Sequence, residues 1–259
     1  TPDQAPGLLT RMAAALRHRG PDESGIHVEP GIGLAHARLA IVGVADGQQP
    51  MANAAGDLVI SYNGEVFNHV ELRAGLEARG RRFRTASDTE VILHLYEEMG
   101  TDCLDALNGD FAFALWDARR RLLWLARDRV GVRPLYYAER GGTLFFASEI
   151  GALLKAPGLR AEPDPVALDQ IFTLWAPIPP RTAFRGISEL PPGHMLLVEG
   201  GERTVRPWWR LEFPRDGEFD VPDCPAELLG ELLEAATRLR LRADVAVGAY
   251  ISGGLDSSL

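Results

Sequence analysis

Four stretches of the 259-residue chain carry residue types whose spacing suits chemistry. The first begins with an apolar run, Val245 to Ile251, of the kind that forms a buried parallel strand. It passes into Ser252-Gly253-Gly254, which lets the backbone turn, and then through Leu255 into Asp256-Ser257-Ser258, residues typical of a helix start. Strand, glycine turn and helix start make either a tight strand-to-helix connection with no ligand or an anion site, where unpaired N–H groups and the positive end of the helix dipole converge. The pattern lacks the Gly-Lys-Ser/Thr of a Walker loop. Nor is it a nucleophile elbow, which would need glycine where Tyr250 stands.

The other three stretches lie far upstream. Arg38 interrupts the apolar run Ala37-Arg38-Leu39-Ala40-Ile41-Val42, either on the wet face of a strand or as a bidentate clamp for a carboxylate. Asn63-Gly64, within Tyr62-Asn63-Gly64-Glu65, reads as a hairpin turn or as an oxyanion hole built from the Asn63 amide and the Gly64 N–H. Asp88 complements a helix dipole in the first turn, or pairs with a substrate ammonium. An arginine, an aspartate and an Asn-Gly could grip both ends of an α-amino acid and polarise its side-chain carbonyl, a combination that fits glutamine.

The elements that must position these residues are short. Leu8 to Arg17 has helical spacing and is ended by Arg19-Gly20-Pro21-Asp22. Ser87-Asp88-Thr89-Glu90 is a capping box opening a helix with Ile92, Leu95, Tyr96 and Met99 on one face. Strand-like runs occupy 25–28, 33–42, 58–62, 122–126, 134–138 and 144–147, and around 111–116 Phe111, Phe113 and Leu115 alternate with Ala112, Ala114 and Trp116. So many strands with few helices predict an α+β domain of layered antiparallel sheets over 1–200. Twelve prolines punctuate 157–225, which places the interdomain connection there, with a linker at 201–225. Ala226 to Leu241 is an amphipathic helix that opens a second, α/β domain over 226–259.

Composition narrows the function classes. A formal charge of −9 argues against a surface built for nucleic acid or acidic membrane. No apolar stretch approaches a membrane span and no leader is visible, so the expectation is a soluble, cytoplasmic protein. Cys103 and Cys224 are too few and too separated for a disulfide framework, the six histidines show no metal-ligand spacing, and no metal site is expected from the residues themselves.

The segments Arg17-His18-Arg19-Gly20-Pro21-Asp22, His36-Ala37-Arg38-Leu39, Tyr62-Asn63-Gly64-Glu65, Ser87-Asp88-Thr89-Glu90, Gly109-Asp110-Phe111-Ala112-Phe113 and Arg127 to Tyr137 resemble, in order, blocks of the glutamine-hydrolysing asparagine synthetases. The Ser-Gly-Gly-Leu-Asp-Ser loop is similar to that family's pyrophosphate loop, which sugar-phosphate and phosphoribosyl amidotransferases lack. The resemblance implies a four-layer αββα class II amidotransferase domain of the N-terminal-nucleophile hydrolase type, followed by the beginning of an α/β ATP-pyrophosphatase domain. It further implies that Arg38, Ile41, Val42, Glu65 and Asp88 bind glutamine and that Asn63 and Gly64 form the oxyanion hole. Ile251, Ser252, Gly253, Gly254, Leu255, Asp256, Ser257 and Ser258 would line a site for ATP with magnesium. The implied substrates are glutamine, ATP and aspartate, and dimers are common in the family. Its nucleophile is a cysteine at the mature N-terminus, whereas this sequence opens Thr1-Pro2-Asp3. The expectation is that a first strand carrying the cysteine precedes Thr1. Alternatives stand beside this: a near relative that amidates another carboxylate in secondary metabolism or polysaccharide synthesis, an ATP-dependent cyclase of the β-lactam synthetase or lasso-peptide type, without the nucleophile, and a non-catalytic amidotransferase-like module.

Overall fold

A computed structural model describes residues 5–215 and 223–255. Its elements run α1 (Ala5–Ala15), β1 (Glu23–Glu29), β2 (Ile32–Arg38), β3 (Met51–Ala52), β4 (Leu58–Val66), α2 (His69–Ala78), α3 (Asp88–Met99), a 3-10 helix (Gly100–Ala106), β5 (Gly109–Asp117), β6 (Leu122–Arg127), β7 (Tyr136–Arg140), β8 (Thr143–Ala147), α4 (Ile150–Leu153), α5 (Pro165–Leu174), β9 (Ser188–Glu189), β10 (His194–Glu199), β11 (Glu202–Pro207) and α6 (Pro225–Arg240). The largest sheet has the order β11-β10-β6-β5-β4-β3, with antiparallel neighbours throughout. Two smaller antiparallel sheets, β1-β2 and β8-β7-β9, face it.

The period-two pattern of β5 explains the layering. Phe111, Phe113 and Leu115 pack with Ile92, Leu93, Leu95 and Tyr96 of α3 and with Leu76 of α2 on one face of the large sheet. Ala112, Ala114 and Trp116 turn to the other face, against Leu34 of β2 and the partly buried Tyr137, Leu144 and Phe146 of the β7-β8 hairpin. Beyond the small sheets, Met12 of α1 and Ala152 and Leu153 of α4 pack on Ala138 and Ala147. Four layers result, αββα, as the resemblance implies.

Local expectations fared unevenly. The Ser87 hydroxyl caps α3 but accepts from the N–H of Thr89 rather than Glu90, while the Glu90 carboxylate takes the N–H groups of Arg84 and Thr85 instead of Ser87. Asn63-Gly64 is not a hairpin turn: it lies inside β4, opposite Ala112 and Phe111, because nine consecutive residue pairs with β5 outweigh a two-residue turn signal. Within the proline-rich stretch the chain forms α5, capped by the Asp164 carboxylate on the N–H of Val166, and strands β9 to β11. Strand β11 lies within 201–225 yet pairs with β10, and Trp208 beyond it stacks on Phe111. The expected buried strand over Val245–Ile251 does not form. Its residues are exposed and without sheet partners among the described residues, as an apolar run must be when no neighbouring strands receive it. Helix α6 likewise has no buried residue, and its leucine stripe, including Leu229 and Leu232, is exposed.

Candidate functional site

A cavity of about 1090 Å³ opens between the large sheet and the two small ones. Its walls include β2 and β8, residues 112–114 of β5 and the inner side of α1. Strand β2 pairs only with β1, and β8 only with β7, so among the described residues each of these cavity-lining strands has one edge without a partner. The polar part of the wall gathers Arg38, Asn63, Gly64, Glu65, Ser87 and Asp88 from three separate elements. Packing of β2 and of the start of α3 against β4, rather than strand pairing, brings residues 25 positions apart in sequence into this one wall.

Arg38 ends β2 and is 5% exposed, which removes the wet-face reading. Its guanidinium donates to the carbonyls of Val42, Gly43 and Val44 and meets the Glu23 carboxylate at 3.0 Å. In this state the arginine shapes the turn after β2 as well as facing the cavity. Ile41 and Val42 line the cavity too, with the Val42 carbonyl held by Arg38 and that of Ile41 by the N–H of Asp244.

Asn63 contributes the least satisfied group: its Nδ2 is buried without a hydrogen-bond partner. A native structure rarely leaves such a donor unpaired, since desolvation costs about 1–3 kcal/mol. Beside it, Gly64 is required by contact rather than by turn geometry, for a Cβ there would lie 2.1 Å from the Asp110 carbonyl oxygen.

Two acids complete the wall. Asp88 is buried at the first position of α3 and accepts from the Tyr62 hydroxyl at 3.0 Å and the Val66 N–H at 2.9 Å. Burial nevertheless raises its pKa above the ordinary value. Glu65 is half-buried, and burial followed by the Asp88 charge raises its pKa, against the opposing effect of Arg133. Two neighbouring carboxylates raised in this way form a site that a bound cation relieves. The dipole role of Asp88 is real, since it opens a helix, but its bonds across to β4 make it part of the wall.

Three further wall residues had no assigned role in the sequence analysis. Arg133 lines the cavity with its Nε buried and unpartnered. It is presented by a loop wound around Asp128, whose carboxylate accepts from the N–H groups of Phe111, Val130, Gly131, Val132 and Arg133. The Arg127-to-Tyr137 block was the available signal. The Gln49 amide brackets Tyr62, accepting from its N–H at 2.6 Å and donating to its carbonyl at 3.0 Å. His36 meets the Ser61 hydroxyl at 3.1 Å, and burial, assisted by Arg38, lowers its pKa to about 4, so the ring is neutral near pH 7.

The Ser252-Gly253-Gly254 segment is described as far as Leu255. Gly253 has φ +76° and the Gly254 N–H donates to the Ser252 hydroxyl at 3.3 Å, which bears out a glycine turn, and the side chains of Ile251 and Leu255 are exposed. Asp256, Ser257 and Ser258 lie outside the described residues, as does Thr1. Cys103 is buried and its thiol is pushed up to about 12, far from a nucleophile's range. Cys224 is exposed beside α6. Among the described residues no cluster of three metal-binding side chains occurs, and no helix is long and apolar enough to cross a membrane.

Comparison with known proteins places these features. The sequence profile of a glutamine amidotransferase domain matches residues 2–209, and that of asparagine synthase matches residues 228–259. The chain is 43% identical over 254 residues to glutamine-hydrolyzing asparagine synthetase 3 of Bacillus subtilis (strain 168), covering 96% of this chain and 41% of that protein. It is 39% identical over 256 residues to glutamine-hydrolyzing asparagine synthetase 2 of Oryza sativa subsp. japonica, covering 97% and 37%. The chain thus spans about two-fifths of the length of these curated relatives. Among solved structures, the glutamine phosphoribosylpyrophosphate amidotransferase from B. subtilis superposes with a TM-score of 0.55 at 22% identity, over 77% of this chain and 46% of that one, which supports the shared fold. With its four-layer architecture and a profile match over most of its length, the chain belongs to the glutamine amidotransferase domain family, continued by the beginning of an asparagine synthase domain.

Proposed function

We propose that this chain is the glutamine-binding part of an ATP-dependent amidating enzyme that converts aspartate to asparagine. The observation that carries the reading is the buried, unpartnered Nδ2 of Asn63 in a cavity wall shared with two acids of raised pKa. A neutral amide donor and a pair of carboxylates suit a ligand with a carbonyl at one end and an ammonium at the other. In this reading Glu65 and Asp88 take the glutamine ammonium, and Arg38 with the turn at Ile41 and Val42 takes its carboxylate. Asn63 and the Gly64 N–H receive the oxyanion as the side-chain carbonyl becomes tetrahedral.

The nucleophile would be a cysteine thiolate carried on a strand that joins an open edge beside the cavity. Its sulfur bonds the amide carbon, ammonia leaves, and water then cleaves the thioester to glutamate. The unpartnered edges of β2 and β8 support this, because both strands line the cavity and an open edge can receive an added strand. At the other site, the turn at Ser252-Gly253-Gly254 would receive the phosphates of ATP, with Asp256, Ser257 and Ser258 continuing it. Magnesium would supply charge neutralisation on those phosphates. There the aspartate carboxylate attacks the α-phosphorus, pyrophosphate leaves, and ammonia displaces AMP. Such an enzyme would work in the cytoplasm, where its substrates are.

The test is glutamate release from glutamine by the protein purified from its full gene, with Arg38→Ala alongside. Release by the wild type and a sharply raised glutamine requirement in the variant are expected. An unchanged requirement removes Arg38 from the role. Pyrophosphate release without any use of glutamine would favour the cyclase reading instead.

A further inference from the structure

The turn after β2 is held from two sides. From within, Arg38 donates to the carbonyls of Val42, Gly43 and Val44. From without, it is held by a residue 201 positions later: the Asp244 carboxylate accepts the Gly43 N–H at 2.8 Å, and the Asp244 N–H donates to the Ile41 carbonyl at 2.9 Å. Gly43 itself has φ +61°, and a Cβ there would stand 2.8 Å from the Ser87 Cα, so the turn is also packed against the start of α3.

Asp244 does not act alone. Arg242 forks onto both carboxylate oxygens of Glu71, at 2.5 and 2.6 Å, and donates to the Phe67 carbonyl at 2.7 Å. Arg240 reaches the Asp110 carboxylate at 2.9 Å and lies over the Phe67 ring. Asp110 is the β5 partner of Glu65. Residues 240, 242 and 244 therefore attach the end of α6 and the segment after it to β5, to Phe67 and α2, and to the turn after β2. Ser252 lies eight positions after Asp244, so the phosphate loop stays within roughly 28 Å of that turn while the contact holds.

We propose that Asp244 is a positioning residue for the glutamine site: by fixing the Ile41–Val44 turn it sets the carboxylate-binding side of the cavity from the synthetase side of the chain. The inference rests on the glutamine reading above and adds to it a physical link between the two domains. Asp244 touches no substrate; it acts through Gly43 and Ile41.

The experiment uses the protein expressed from its full gene. Asp244→Ala is expected to raise the KM for glutamine about threefold to tenfold while the kcat of glutamate release falls less than twofold, the signature of weakened ground-state binding. Asp244→Asn keeps an oxygen that accepts the Gly43 N–H and is expected to restore most of the affinity. As a second measurement, amide exchange in a peptide covering residues 39–46 should quicken in Asp244→Ala and much less in Asp244→Asn. Wild-type glutamate release with an unchanged KM and unchanged exchange in Asp244→Ala overturns the inference alone. A wild type that never releases glutamate overturns the glutamine reading, and this role for Asp244 with it.

Discussion

Replacing Asn63 by alanine separates a catalytic donor from a structural one. In the folded chain its Nδ2 is buried and bonded to nothing, so truncation breaks no hydrogen bond of that donor and removes an unmet desolvation cost. That relief, about 1–3 kcal/mol, offsets the packing lost with the amide, and the net change in stability should stay within about 1 kcal/mol. Catalysis should respond on another scale. Loss of one oxyanion donor lowers kcat by about 10²–10³, or about 2.7–4 kcal/mol. KM should move little, because in the proposed role the donor meets charge that develops only as the carbonyl becomes tetrahedral. The assay pairs initial rates of glutamate release over a range of glutamine concentrations with urea denaturation of the same preparations. A kcat within threefold of wild type would refute the oxyanion assignment. So would a stability loss above about 2 kcal/mol, since it would reveal a structural bond at that side chain.

Other positions test the frame around the site. Gly64→Ala would drive a Cβ to 2.1 Å from the Asp110 oxygen and 2.7 Å from the Phe111 Cα, both backbone atoms; a loss of at least about 2 kcal/mol by denaturation, and of glutamate release, is expected. Asp128→Ala takes the side-chain acceptor from five backbone N–H groups, of which only Gly131 keeps another, the Asp128 carbonyl; it should cost about 3 kcal/mol or more, read from the denaturation midpoint, with Arg133 misplaced as a result. His36 gives a pH signature. Its folded pKa of about 4 lies below the ordinary 6.5, so the unfolded chain binds the proton first. The His36 contribution to stability is therefore constant above about pH 6.5 and declines as pH falls towards 4, by at most about 3 kcal/mol. His36→Gln should flatten that part of the stability-against-pH curve.

Features set by neighbouring residues were legible in order of residues alone. The alternation of Phe111, Phe113 and Leu115 with Ala112, Ala114 and Trp116 announces a strand, and in the structure its two faces enter different cores. Ser87 could be read as a cap because capping is a contact between residues two or three apart. The Ser252-Gly253-Gly254 turn could be read for the same reason, as glycine's freedom at positive φ is a property of the residue itself.

Contacts between distant segments followed a different logic. Asn63-Gly64 carries the local signal of a hairpin, yet pairing with β5 along nine residues holds it extended and aims an amide into a cavity. Val245–Ile251 has the composition of a buried strand, but burial is a property of partners, and none meets it among the described residues. Arg133 acquires its place from a loop wound around Asp128, and Asp244 from a turn 201 positions away. Residue types and short spacings thus name the chemistry available to the chain. Which of those groups share one wall, how far each is desolvated, and which donor is left without a partner depend on strand pairing and layer packing, long-range contacts that no local window contains.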